Sequence, residues 1–147
     1  MEVIESGNEK YRRYTEQMGR LKKSYKMGFF IESLSIEYAV MEDRLESALR
    51  HGGNWKETDK YVSIEKKIKK LEKIAENKKS LEHKYFSQEL FQRITTWKGT
   101  RNTLIHAMMK NNVTDEELQH IAEEGYEIVK ILNSKVTSYN RKLQQIK

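Results

Sequence analysis

No proline occurs anywhere in the 147 residues of this chain. Average usage of about 5% would place roughly seven in a chain of this length. Proline stops helices because it lacks a backbone N–H and its ring collides with the turn before it. Its absence leaves long uninterrupted helices open to the sequence. The apolar residues use that freedom: Phe30, Leu34, Tyr38, Met41, Leu45 and Ala48 recur every three or four positions. A half-buried strand would alternate every second residue instead. The same spacing returns in Leu118, Ile121, Gly125, Ile128, Leu132, Val136, Tyr139, Leu143 and Ile146. The predicted fold is all-α, a bundle of four to five helices forming one domain over 1–147.

Punctuation comes from glycine and asparagine. His51-Gly52-Gly53-Asn54 ends whatever helix precedes it, and further breaks are expected near Lys98-Gly99 and at Asn111-Asn112. Asn8 to Leu49 reads as one helix, or as two joined near Lys26-Met27-Gly28. Its first part, Tyr11 to Tyr25, is mostly charged and is expected on the outside or against a partner. Lys60 to Lys79 reads as a basic helix with Tyr61, Ile64, Ile68, Leu71 and Ala75 on one face. Lys66, Lys67, Lys69, Lys70 and Lys73 fall opposite, either as a phosphate-attracting ridge or as a solvated face supported by the Glu65–Lys69 pair. A third helical region starts near Ser80 or Ser87 and runs through Phe86, Leu90, Ile94 and Trp97 toward Met108, with Gly99 bending or dividing it. Thr114-Asp115-Glu116-Glu117 has the form of a capping box, with Val113 and Leu118 placed as its hydrophobic staple.

Composition narrows the function. Charged residues make up 34% of the chain, and the excess of Lys and Arg over Asp and Glu gives a net charge of +6. That balance suits a polyanionic partner. There is no cysteine, hence no disulfide, thiolate metal site or cysteine nucleophile. The longest apolar run, Tyr38-Ala39-Val40-Met41, is far short of the about 20 residues a membrane span needs. The start Met1-Glu2-Val3-Ile4-Glu5 lacks a signal peptide's basic and apolar regions. A cytoplasmic protein without membrane contact is expected. No His-Glu-x-x-His pair, glycine-rich phosphate loop or Gly-x-Ser-x-Gly elbow occurs, so no metal or other cofactor is implied.

One constellation carries chemistry: Trp97-Lys98-Gly99-Thr100-Arg101-Asn102-Thr103-Leu104-Ile105-His106. On a helix Asn102 and His106 share a face, and the long Arg101 side chain can curl toward it. A cation, an amide and a titratable imidazole suit RNA cleavage by attack of the 2′-OH on its own phosphate, which needs no metal. His106 would exchange the proton, Arg101 would stabilise the phosphorane oxygens, and Asn102 would orient the imidazole or a phosphate oxygen. Eight arginines and four histidines produce this spacing by chance at a rate of roughly 0.2, and requiring Asn after the Arg lowers that to roughly 0.01. The bland alternatives are a buried structural histidine, an arginine in a surface ion pair and an asparagine capping a helix.

At Arg101, Asn102 and His106 the sequence resembles the HEPN superfamily, small all-α domains marked by Arg, a polar residue, three variable residues and His. The resemblance implies a metal-independent endoribonuclease of toxin–antitoxin, abortive-infection or CRISPR-associated type. It also implies a homodimer in which two motifs face each other, and control by an antitoxin or other regulatory protein. Met108 stands where one toxin branch carries a modified tyrosine. RNA binding is assigned to Lys66, Lys67, Lys69, Lys70, Lys73 and Lys98. The alternative function is a non-catalytic helical module that binds RNA or protein, or an oligomerisation bundle.

Elsewhere, His51 reads as a loop residue and His83 and His120 as surface. Tyr25, Phe29, Phe30 and Tyr38 read as core or as base-stacking groups. Trp55 reads as an exposed contact residue, and Met108-Met109 as core filling or dimer interface.

Overall fold

The computed structural model describes residues 7–59 and 62–146, and among these there is no β-strand. Six α-helices follow one another: α1 (Gly7–Lys26), α2 (Phe30–His51), α3 (Ile64–Ala75), α4 (Leu81–Tyr85), α5 (Gln88–Ala107) and α6 (Asp115–Ile146). The all-α expectation holds, with more helices than the four to five expected. The charged N-terminal stretch becomes a helix of its own, and Ser80 starts the short α4 before Ser87 starts α5.

The question of one helix or two before residue 50 is settled at Gly28. Its φ of +79° lies in the left-handed region, which suits a residue without a Cβ. The Phe29 amide then donates to the Ser24 carbonyl at 2.8 Å, closing the turn between α1 and α2. Met18 and Leu21 of α1 are buried against α2, and two buried hydroxyls, Ser24 and Ser33, meet at 2.8 Å. Each also lies against a carbonyl, Leu21 O and Phe29 O, so neither is left without a partner in the apolar interface.

Helices α2 and α6 form the main packing pair and run parallel. At one end Tyr25, in the last turn of α1 that leads into α2, donates to Glu123 of α6. At the other, Asn140 Nδ2 donates to Ser47 Oγ at 3.1 Å. The expected stripe supplies the contact: Leu34, Met41, Leu45 and Ala48 are fully buried, as are Ile128, Val136 and Tyr139. Helix α1 covers one side of this pair, while α3, α4 and α5 cover the other. Phe86, Phe91 and Tyr139 stack beneath α4, where Tyr139 OH donates to Glu82 at 2.8 Å.

The helix starts obey side-chain capping. Ser63, Ser80 and Ser87 accept from the amides of Lys66, His83 and Leu90. Thr114 and Glu117 form the expected reciprocal box, at 3.2 Å and 2.9 Å. The basic helix spans only Ile64–Ala75 of the expected 60–79, and Tyr61 lies outside the described residues. The expected break at Gly99 does not occur. Helix α5 passes straight through, because a lone exposed glycine costs about 1 kcal/mol and buried Trp97 and Ile94 anchor the helix around it. The break at Asn111-Asn112 is present as the loop before α6. Among the described residues, no helix is long and apolar enough to cross a membrane.

Candidate functional site

The last three turns of α5 hold the motif. Lys98 points inward, only 7% exposed, and its ammonium meets Glu65 of α3 at 2.5 Å. That hydrogen bond and charge hold the Glu65 carboxyl below its ordinary range. The expected Glu65–Lys69 pair is therefore replaced by a bridge between helices.

Arg101, three residues on, follows the same side of α5 and lies over α2. Its guanidinium carbon sits 4.5 Å from the centre of the Tyr38 ring, close enough for a cation–π contact. Nη1 donates to Asn102 Oδ1 at 2.9 Å, and Nε is buried without a hydrogen-bond partner. No carboxylate of the described residues lies within ion-pair distance of Arg101, so the surface-ion-pair alternative does not describe it. Burial pushes the Tyr38 phenol above its ordinary range, with Glu42 adding and Arg101 opposing. Asn102 lies in mid-helix and caps nothing. Its carbonyl oxygen braces Arg101 rather than the imidazole.

His106 stands in the last turn of α5 and is exposed, so it is not a buried structural histidine. Five residues separate it from Arg101, about 7.5 Å along the axis and about 140° around it. The structure thus brings Arg101 and Asn102 into contact, while His106 lies about 140° around the helix from Arg101, on the face it shares with Asn102, and is exposed. Immediately beyond, Met108 is 38% and Met109 92% exposed, which corrects the core-filling expectation for this pair.

The lysine ridge is only partly a ridge. Lys66, Lys69 and Lys73 are exposed. Lys67 faces inward at 4% exposure and reaches Glu46 at 3.2 Å and Glu42 at 3.5 Å. Lys70 is bound to Asp59 at 2.9 Å. Residue 67 falls on the α2 side because the apolar face of α3, built on Ile64, Ile68, Leu71 and Ala75, is wide enough to include it. Between α3 and α5 runs an open groove of about 550 Å³. Lys69, Gln92, Thr95 and Thr96 line it, and the Glu65–Lys98 bridge closes one side.

Other expectations shift. His51 is the last residue of α2 rather than a loop residue, its Nδ1 donating to the Ser47 carbonyl at 2.8 Å. His83 and His120 are exposed as expected. Trp55 is half-buried against the core, between Arg50 at 4.8 Å and Lys67 at 5.5 Å, so it is not a free contact residue. Phe29 is 55% exposed, whereas Tyr25 and Phe30 pack edge to face against the core. Tyr38 is the residue that sequence reasoning did not assign to the site. Its helical spacing marks it as core, and only the fold shows which cation it meets.

Comparison with known protein families, with curated proteins and with solved structures finds none that matches this chain.

Proposed function

We propose that this chain is a HEPN-type, metal-independent endoribonuclease that cuts single-stranded RNA. In this reading it acts as a cytoplasmic homodimer in a toxin or anti-phage role, under an antitoxin or regulatory protein. The observation that carries the reading is Arg101: a braced guanidinium with no carboxylate of the described residues to neutralise it, on the same helix end as a solvent-facing His106. A cation held without a counter-ion among the described residues is a seat for an anion such as an RNA phosphate.

The chemistry then follows. Neutral His106 takes the proton from a ribose 2′-OH, and the 2′-oxygen attacks the adjacent phosphorus. The 2′-O–P bond forms as the P–O5′ bond breaks, giving a 2′,3′-cyclic phosphate and a 5′-hydroxyl end. The departing O5′ takes a proton from His106 of the partner subunit, protonated at the outset. Arg101 donates to the non-bridging oxygens, where negative charge accumulates in the phosphorane. The amide N–H2 of Asn102, whose oxygen is committed to Arg101, adds a further donor. The exposed Met108 and Met109 beside His106 supply apolar surface for the second copy. Exposed Lys66, Lys69 and Lys73 attract the RNA backbone. The same lysines favour the second reading, a module that binds RNA without cutting it.

The test is incubation of end-labelled single-stranded RNA in EDTA with wild type, His106→Ala and Arg101→Ala. Cutting by wild type alone, with cyclic-phosphate ends, supports the proposal. Equal cutting by all three sinks the assignment to this site, and RNA binding without cutting moves the function to the second reading.

A further inference from the structure

Three arginines of the described residues stack on an aromatic ring: Arg44 on Tyr14, Arg50 on Trp55 and Arg101 on Tyr38. The first two are also paired with carboxylates, Arg44 with Asp43 at 2.6 Å and Arg50 with Glu46 at 3.1 Å. Among the described residues, Arg101 has only the ring and the Asn102 amide oxygen. Its stack is also the closest of the three, at 4.5 Å against 5.9 Å and 4.8 Å.

Two carboxylates that act on Tyr38 are already paired with lysines. Glu42 and Glu65 are the two acidic groups whose charge Tyr38 feels. Glu42 faces Lys67 at 3.5 Å, and Glu65 is held by Lys98 at 2.5 Å. Each has a lysine, not Arg101, as its ion-pair partner. An arginine side chain has many rotamers, and holding it in one geometry before substrate arrives requires a fixed contact. A carboxylate would fix it and at the same time compete with an incoming phosphate. An aromatic face fixes it through the ring quadrupole while leaving its full charge and most of its five N–H donors available.

We infer that Tyr38 is a positioning residue: its ring is the platform that holds the Arg101 guanidinium in place, unneutralised, for an RNA phosphate. The inference rests on the ribonuclease reading of Arg101 and extends it to a residue on a different helix. The ring face does the work, so Tyr38→Phe should preserve it and Tyr38→Leu should remove it while keeping an apolar side chain between α2 and α5.

The experiment compares the full chain as wild type, Tyr38→Phe and Tyr38→Leu, with thermal melting as the check on folding. RNA cleavage is measured as kcat and KM, and binding is measured with a 2′-O-methyl RNA that cannot be cut. Phenylalanine is expected to retain the wild-type rate within about twofold, and leucine to lower kcat by roughly 10²-fold. KM should rise as well in the leucine variant and not in the phenylalanine variant, because the same guanidinium seats the phosphate before it reacts. A leucine variant that cuts at the wild-type rate overturns the inference. So does a phenylalanine variant as impaired as leucine, because the hydroxyl rather than the ring face would then matter. Should the leucine variant not fold, Tyr38→Met replaces it. If wild type cuts nothing, the ribonuclease reading falls, and the 2′-O-methyl RNA decides the role of Tyr38 separately. Weaker binding in leucine but not in phenylalanine sustains the platform, and equal binding in all three overturns it.

Discussion

The carboxyl group of Glu37 on α2 lies against Gly125 on α6, in the space that a side chain at residue 125 would occupy. A Cβ built there would overlap Glu37 and come within 2.7 Å of Trp97 Nε1. Gly125 therefore leaves the room that the Glu37 carboxyl and the Trp97 indole occupy, and a side chain there would have to displace them. Gly125→Ala should destabilise the fold by about 1–3 kcal/mol, the range for overpacking a filled core. Gly19 provides the control, since a Cβ there meets nothing within 4 Å. Gly19→Ala should stabilise by roughly 0.5–1 kcal/mol through helix propensity alone. Urea unfolding of both variants gives the answer, and equal effects at the two glycines would contradict the packing argument.

Glu37 itself is fully buried, and neither carboxyl oxygen has a hydrogen-bond partner. The nearby indole N–H of Trp97 is committed to the Ile121 carbonyl at 2.9 Å. Burial without a partner pushes the Glu37 carboxyl up to about 9 from its ordinary 4.5. The folded protein thus keeps a proton that the unfolded chain releases above that ordinary value. The folded state binds more protons across this window, so stability falls as pH rises from about 4.5 to about 9. The slope from this one group is at most about 1.4 kcal/mol per pH unit. Glu37→Gln cannot ionise and should lose that component. In urea melts the variant's advantage over wild type should be greater at pH 8 than at pH 5. An unchanged difference between the two pH values would show that Glu37 finds solvent or a partner when charged.

The capping box at the start of α6 makes a local prediction. Thr114→Ala removes the acceptor for the Glu117 amide, a bond of 3.2 Å, and should cost about 1 kcal/mol. Thr114→Ser keeps the hydroxyl and should retain most of that. Chemical denaturation of the pair distinguishes a missing cap from a merely altered surface.

These elements differ in how well the sequence announces them. The Thr114–Glu117 box is a contact between residues three apart, so its spacing is its structure. The α2 and α6 stripes are legible for the same reason, because a periodic apolar face must be buried. Gly99 misleads, since a glycine weakens a helix by an amount that tertiary packing at Trp97 and Ile94 readily exceeds. Glu37 and Gly125 are 88 positions apart, and nothing local to either marks the meeting. At the candidate site the Arg101–Asn102 contact is local, between sequence neighbours, yet the role expected of Asn102 is to orient the imidazole or a phosphate oxygen. The Tyr38 stack and the Glu65–Lys98 bridge depend on how α2 and α3 pack against α5, which no local pattern encodes.

Lysines on α3 that look equivalent in sequence should separate into two classes under mutation. Lys67 is buried between Glu42 and Glu46, and its removal leaves two acidic groups facing each other across a partly dry interface. Those carboxylates retain some solvent, so Lys67→Ala should cost roughly 2 kcal/mol, less than the full penalty for breaking a buried pair. Lys66, Lys69 and Lys73 are exposed, and replacing all three by Gln should change stability little, within about 0.5 kcal/mol at each position. Their effect belongs to RNA. Each contact to a single-stranded phosphate contributes about 0.7 to the slope of log affinity against log salt, so the triple variant should bind with a slope shallower by about 2. Fluorescence anisotropy of a labelled 2′-O-methyl RNA across a sodium chloride series measures it. A shallower slope with an unchanged melting curve places the exposed lysines on the RNA, while an unchanged slope removes α3 from the binding surface and confines recognition to the end of α5.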